Sequence, residues 1–132
     1  MKTRIASCSC GRLTLKTETE PLRVSVCHCL ACQRRTGSVF GAQARFPRSS
    51  VTISGESSEY VRVGDEGSKV VFSFCPKCGA TVHYSVEGYD VDNIAVPVGA
   101  FADPNFPAPN FSVYEERMHS WVSLPAGIKH MA

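Results

Sequence analysis

Hydrophobic and polar positions alternate along most of the chain, which is the pattern of strands with one buried face. Ile5, Leu13 and Leu15 alternate with polar neighbours and predict two short strands over 4–8 and 13–17, around a turn at Cys10-Gly11. Val24 and Val26 mark a third strand over 23–27, and similar runs predict strands at 39–46, 51–54, 59–63, 69–74, 81–86 and 93–99. Residues 28–36 lack β-branched side chains until Thr36 and predict one or two helical turns closed by Gly37. Gly64-Asp65-Glu66-Gly67 and Glu87-Gly88-Tyr89-Asp90 read as tight turns. Phe101 to Phe111 carries three prolines and three aromatics in eleven residues, so it reads as an extended covering loop. Val113-Tyr114 opens a last short strand or turn, Trp121 is expected to pack against the sheet, and the tail from Leu124 shows no readable pattern. The expected class is all-β with at most short helical turns.

Composition limits this picture without changing it. The 132 residues fit one domain, 1–132, with no repeat and no dividing linker. A hydrophobic fraction of 43% supports a core, but ten glycines and eight prolines make the chain loop-rich, so metal cross-links would help to hold it. No apolar run reaches the roughly 18 residues of a membrane span, and the start lacks the apolar segment of a secretory signal. A soluble, cytoplasmic protein is expected.

The cysteines change the picture most. In a reducing compartment, clustered cysteines at short spacing more often bind metal than form disulfides. The seven here are Cys8-Ser9-Cys10, Cys27-His28-Cys29-Leu30-Ala31-Cys32 and Cys75-Pro76-Lys77-Cys78, and they divide naturally as four plus three. Residues two apart on a strand share a face, so Cys8 and Cys10 can present both sulfurs to one ion. Cys75 to Gly79 has the form of a zinc knuckle, with Gly79 letting the backbone leave the turn at positive φ. Cys8, Cys10, Cys75 and Cys78 would close the shell of a structural zinc. Cys27, Cys29 and Cys32 would hold a second ion with one position open to water or substrate. Two other arrangements remain: Cys27 with Cys29 or Cys32 joined to Cys75 and Cys78, or a redox-active Cys29–Cys32 disulfide.

Two zinc ions add four positive charges and seven thiolates seven negative ones, so the formal +2 turns slightly negative. With no Lys/Arg-rich block, nothing indicates nucleic-acid binding.

Around the central cluster, His28 sits between two cysteines and would have trouble turning back onto the same ion, so packing or hydrogen bonding is its expected role. Arg34 and Arg35 follow closely; one of them would neutralise the anionic site or hold a substrate carboxylate. Arg45 is a further candidate for a basic group near Cys32.

Cys8-Ser9-Cys10-Gly11, then Cys27 through Gly37, then Phe74-Cys75-Pro76-Lys77-Cys78-Gly79 and the closing Trp121 resemble the glutathione-dependent formaldehyde-activating enzyme family, also called the centromere-protein-V domain family. The resemblance implies an Mss4-like fold of curved antiparallel sheets stapled by zinc, two zinc ions per chain and the four-plus-three partition. It also implies a carbon–sulfur lyase that joins glutathione and formaldehyde into S-hydroxymethylglutathione. The chain departs from the family at one place: Ser112 stands where many members have a histidine, and His119 is near but offset.

Two functions follow. One is an enzyme acting on a thiol adduct, with glutathione the leading thiol. The other is a non-catalytic zinc-stabilised β module that binds a protein partner. The oligomeric state stays open.

Overall fold

The computed structural model describes residues 2–64, 67–88 and 90–131. Eleven strands are described: β1 (Arg4–Ser7), β2 (Thr14–Thr17), β3 (Arg23–Cys27), β4 (Gly41–Pro47), β5 (Val51–Ser54), β6 (Ser58–Val63), β7 (Lys69–Phe74), β8 (Thr81–Val86), β9 (Asn93–Pro97), β10 (Phe111–Val113) and β11 (Lys129–Met131), with one helix, α1 (Leu30–Thr36). They form a three-stranded sheet ordered β1-β2-β5 and an eight-stranded sheet ordered β11-β10-β3-β4-β9-β8-β7-β6.

The main core lies between the two sheets. Ala6, Leu13 and Leu15 from the small sheet meet Val24, Ala44, Phe46, Val82, Ile94 and Val96 from the large one, all buried. Outside β1 these are the inward positions of the alternating runs, since neighbouring strand residues point to opposite faces; in β1 the faces are reversed from the expectation, with Ala6 inward and Ile5 on the surface. The other face of β7 to β9 carries a smaller cluster of Val70, Phe72, Tyr84 and Ala95. A register shift between Ser73 and Phe74 takes the pairing from Ser73–His83 to Phe74–Thr81, leaving Val82 as the extra residue. Such a bulge re-aims side chains. Val82 therefore fills the main core while Tyr84, two residues on, joins the smaller cluster.

The strands predicted at 23–27, 51–54, 69–74 and 81–86 are found with those bounds. The run predicted over 93–99 ends earlier: β9 stops at Pro97 and residues Val98–Phe101 form a 3-10 turn. Phe101 stacks on Phe106 at 4.8 Å and tilts against Phe46, which seals the core as the covering loop was expected to. Most pairs are antiparallel, but β10 runs parallel to both β3 and β11, a connection made possible by the long excursion before each. Asp65, Glu66 and Tyr89, which fall in the two predicted tight turns, lie outside the described residues.

Trp121 does not pack against the sheet. Its side chain is 70% exposed, with the edge of His119 as its aromatic neighbour, because it follows a short turn on the surface and not a strand. The tail forms β11, whose residues are all exposed and so carry no alternation to read.

Candidate metal centres

The four-sulfur cluster forms where two turns meet. Cys8 ends the first hairpin arm and Cys75 leaves β7; both are buried, whereas Cys10 and Cys78 are exposed. The Sγ atoms of Cys8 and Cys10 lie 3.7 Å apart, and those of Cys10 and Cys75 3.6 Å. All four sulfurs lie within 4.8 Å of one another. A tetrahedral ion with bonds of about 2.3 Å to sulfur spaces its ligands by about 3.8 Å, so the cluster fits such an ion. Backbone amides already point at the sulfurs: Leu13 N–H donates to Cys8 and Lys77 N–H to Cys75. Hydrogen bonds from the Ala80 and Cys10 amides hold the Cys78 thiol down at about 6. Gly79 follows at φ +80°, the left-handed turn that lets the chain wrap this corner.

The second cluster joins the end of β3 to the start of α1. Cys27 and Cys32 are buried, Cys29 is half-exposed, and their three sulfurs again lie within 4.8 Å of one another. Cys29 caps α1: its sulfur accepts from the Cys32 amide at 3.3 Å, and its backbone is extended. A negative charge is favoured at that helix end. Gly37 closes α1 in the left-handed conformation.

Charge within this cluster is unequally shared. Hydrogen bonds from the Cys27 and Cys32 thiols hold Cys29 down at about 2. Cys27 is correspondingly pushed up, first by its hydrogen bond to Cys29. Cys32 is lowered by Cys27, but its hydrogen bond to Cys29 and its burial raise it overall. Hydrogen bonding within the cluster thus favours the charged form at Cys29 over Cys27 and Cys32.

His28 is not part of either cluster. It is fully buried; its Nε2 and Ser112 Oγ share a 3.0 Å hydrogen bond, and its ring meets Phe40 edge-on. Burial pushes its pKa down, so the imidazole is neutral. Nearby Glu115 bonds His130 Nδ1 at 2.5 Å, and Ser112 and His130 hold its pKa down. The other ring nitrogen of His28, buried Nδ1, has no partner. His119 is held on the surface by Gln33 Oε1 at 3.0 Å, away from the sulfurs.

The arginines separate into three roles. Arg45 is engaged by Asp90 at 2.9 Å. Arg35 lies over the rings of both Phe72 and Tyr84, 5.1 Å from each centroid. A Cβ placed on Gly41 would stand 3.3 Å from Arg35 Nη2 and 3.4 Å from Cys32 Cβ, so the guanidinium and Cys32 are near neighbours. Arg34 is exposed on the rim. Both Arg34 and Arg35 line a cavity of about 490 Å³ together with Tyr60, Arg62, Phe72 and Phe74.

Arg62 was not anticipated, although Tyr60 and Arg62 share one face of β6 and that spacing was readable. Its guanidinium lies 5.2 Å from the Phe72 ring, and it favours the charged form of Cys29.

A β fold that gathers a four-sulfur and a three-sulfur cluster defines a protein able to hold two metal ions. The chain belongs to the glutathione-dependent formaldehyde-activating enzyme family, whose profile matches residues 3–117. No curated protein matches it. The crystal structure of a Rhodobacter sphaeroides protein, a structural genomics target, is similar in fold, with a TM-score of 0.55 and 22% identity over 73% of this chain and 85% of the other. Among the described residues, no helix is long and apolar enough to cross a membrane.

Proposed function

We propose that this chain is a zinc-dependent enzyme of the carbon–sulfur lyase type, acting on a thiol adduct, with glutathione and formaldehyde as the leading reactants. The observation that carries the reading is the contrast between the clusters. Four sulfurs complete a tetrahedral shell and leave no room for chemistry, whereas Cys27, Cys29 and Cys32 leave one position free, at the half-exposed Cys29. Zinc held by three thiolates supplies Lewis-acid activation of a fourth sulfur when bound.

The reaction joins the thiol sulfur to the aldehyde carbon, and the carbonyl oxygen takes up a proton. Arg35, fixed by Phe72 and Tyr84 beside Cys32, offsets the negative charge that collects around a fourth sulfur. Neutral His28, tied to Ser112, holds the loop between Cys27 and Cys29 in place. Cys8, Cys10, Cys75 and Cys78 bind the structural zinc and join the first hairpin to β7, so residues 1–132 act as one domain. Seven unpaired cysteines fit a reducing compartment such as the cytoplasm.

A second reading is a zinc-stabilised module that binds a protein. It is favoured by the edge strand β6, where Tyr60, Val61 and Val63 are exposed. Zinc analysis with a turnover assay separates the two. Two zinc ions per chain, and turnover abolished in folded Cys29→Ser protein, support the enzyme; unaltered turnover in Cys29→Ser sinks it.

A further inference from the structure

Strand β6 ends the eight-stranded sheet, so the backbone groups on its outer side face no other described strand. It is the longest edge strand of either sheet, six residues against four in β1 and β5 and three in β11. Natural edges are blunted by short length, proline or lysine. β11 is short and carries Lys129, and β1 is packed against the turn Val98–Phe101. β6 has none of these devices. Tyr60, Val61 and Val63 instead stand exposed along it, at 61%, 45% and 62%. Such an edge is a template for one more strand.

Its sequence fits a second copy of itself. A two-fold axis through the edge runs the two strands antiparallel and pairs residues that share a face. Centring the axis on Glu59 or on Arg62 would oppose like charges directly, and centring it on Tyr60 would set the two Glu59 carboxylates diagonally. Centring it on Val61 opposes two apolar side chains. Tyr60 then meets Arg62 of the partner subunit, and Val63 meets Glu59 of the partner subunit.

This register also supplies a charge pair. Glu59 and Lys69 form no ion pair among the described residues. Lys69 lies opposite Val63 in the β6–β7 ladder, so Glu59 of the partner subunit would stand beyond Val63 on the same face. Two strand spacings, about 10 Å, separate the two stems, a gap that both long side chains can close over the valine. On the other face Arg62 leans inward, 5.2 Å from the centroid of its own Phe72, so the two guanidinium groups point apart and leave room for tyrosine against their stems.

We propose that two copies of this chain associate edge to edge through β6, antiparallel about Val61, making one continuous sheet from both eight-stranded sheets. The 490 Å³ cavity lined by Tyr60 and Arg62 then lies along the seam, bordered by the partner subunit's Tyr60. The proposal does not depend on the thiol chemistry. Six paired residues bury less than the roughly 1,200 Å² of a stable standard interface, so the dimer forms and dissociates with concentration.

Sedimentation velocity of the zinc-loaded protein over a series of concentrations tests this. The wild type is expected to shift from the 14.3 kDa monomer to twice that mass as concentration rises. Val61→Lys, at an exposed position, is expected to stay monomeric while keeping the wild-type melting temperature. Glu59→Lys and Lys69→Glu are each expected to weaken the dimer about fivefold, and the double variant to restore it. A wild type that stays monomeric at every concentration would overturn the proposal and leave the edge to a different protein. A dimer unaffected by Val61→Lys would place the contact elsewhere and overturn it as well. Failure of the double variant to recover would overturn the register about Val61.

Discussion

His28 and Ser112 are 84 positions apart in the chain, yet His28 Nε2 lies 3.0 Å from Ser112 Oγ and both residues are fully buried. The bond links the loop between Cys27 and Cys29 to β10, which lies parallel to β3 with Ser112 beside Val26. Ser112→Ala would leave Nε2 without a partner beside an already unpartnered Nδ1. Stranding a buried polar group costs about 1–3 kcal/mol, so thermal melting should fall by several degrees. Metal competition should show weaker retention at the three-sulfur cluster than at the four-sulfur one.

Gly41 is buried on β4 against Arg35 and Cys32. In Gly41→Ala the new methyl meets Arg35 Nη2 at 3.3 Å, and the flexible end of that side chain moves first. Stability should change by about 1 kcal/mol or less in denaturant titration. On the proposed thiol chemistry, glutathione affinity should drop more than that, because the displaced guanidinium is the charge next to Cys32.

In the three-sulfur cluster, hydrogen bonds from Cys27 and Cys32 lower the pKa of Cys29, and those to Cys29 raise Cys27 and help raise Cys32. Zinc binding requires all three as thiolates. Loading this cluster near pH 7 should therefore release two protons per ion, measured by calorimetry in buffers of different ionisation enthalpy. Release of three protons would contradict the shared-proton arrangement.

Glu115 is held below the ordinary carboxylate value of 4.5 by the Ser112 hydrogen bond and then by His130. A lowered folded-state pKa means stability that is present above the unfolded value and lost as pH falls through the folded one. Wild-type protein should lose stability below about pH 4.5, and Glu115→Gln should flatten that part of the acid limb in urea titrations at stepped pH.

Much of this was legible in the chain. Val24, Val26, Val70, Phe72, Val82 and Tyr84 alternate inside runs bounded by turn residues, so β3, β7 and β8 could be bounded to the residue. The grouping of sulfurs followed from spacing, since each cysteine pair lies on one turn. Local pattern failed where long-range pairing decides. Lys129 to Met131 form a strand only because β10 offers a parallel edge, with no buried face to mark it. Arg62 likewise gains meaning only when β6 pairs with β7 and brings it over Phe72, opposite an arginine from α1. Trp121 shows the reverse case, a large apolar residue left on the surface.

The most direct test of the open three-sulfur site is cobalt-substituted protein titrated with glutathione. Thiolate-to-cobalt charge-transfer absorption in the near ultraviolet counts sulfur ligands, and the closed four-sulfur cluster gives a constant background. The account predicts that glutathione raises this absorption in the wild type and not in Cys29→Ser. A wild-type spectrum unchanged at saturating glutathione would contradict it.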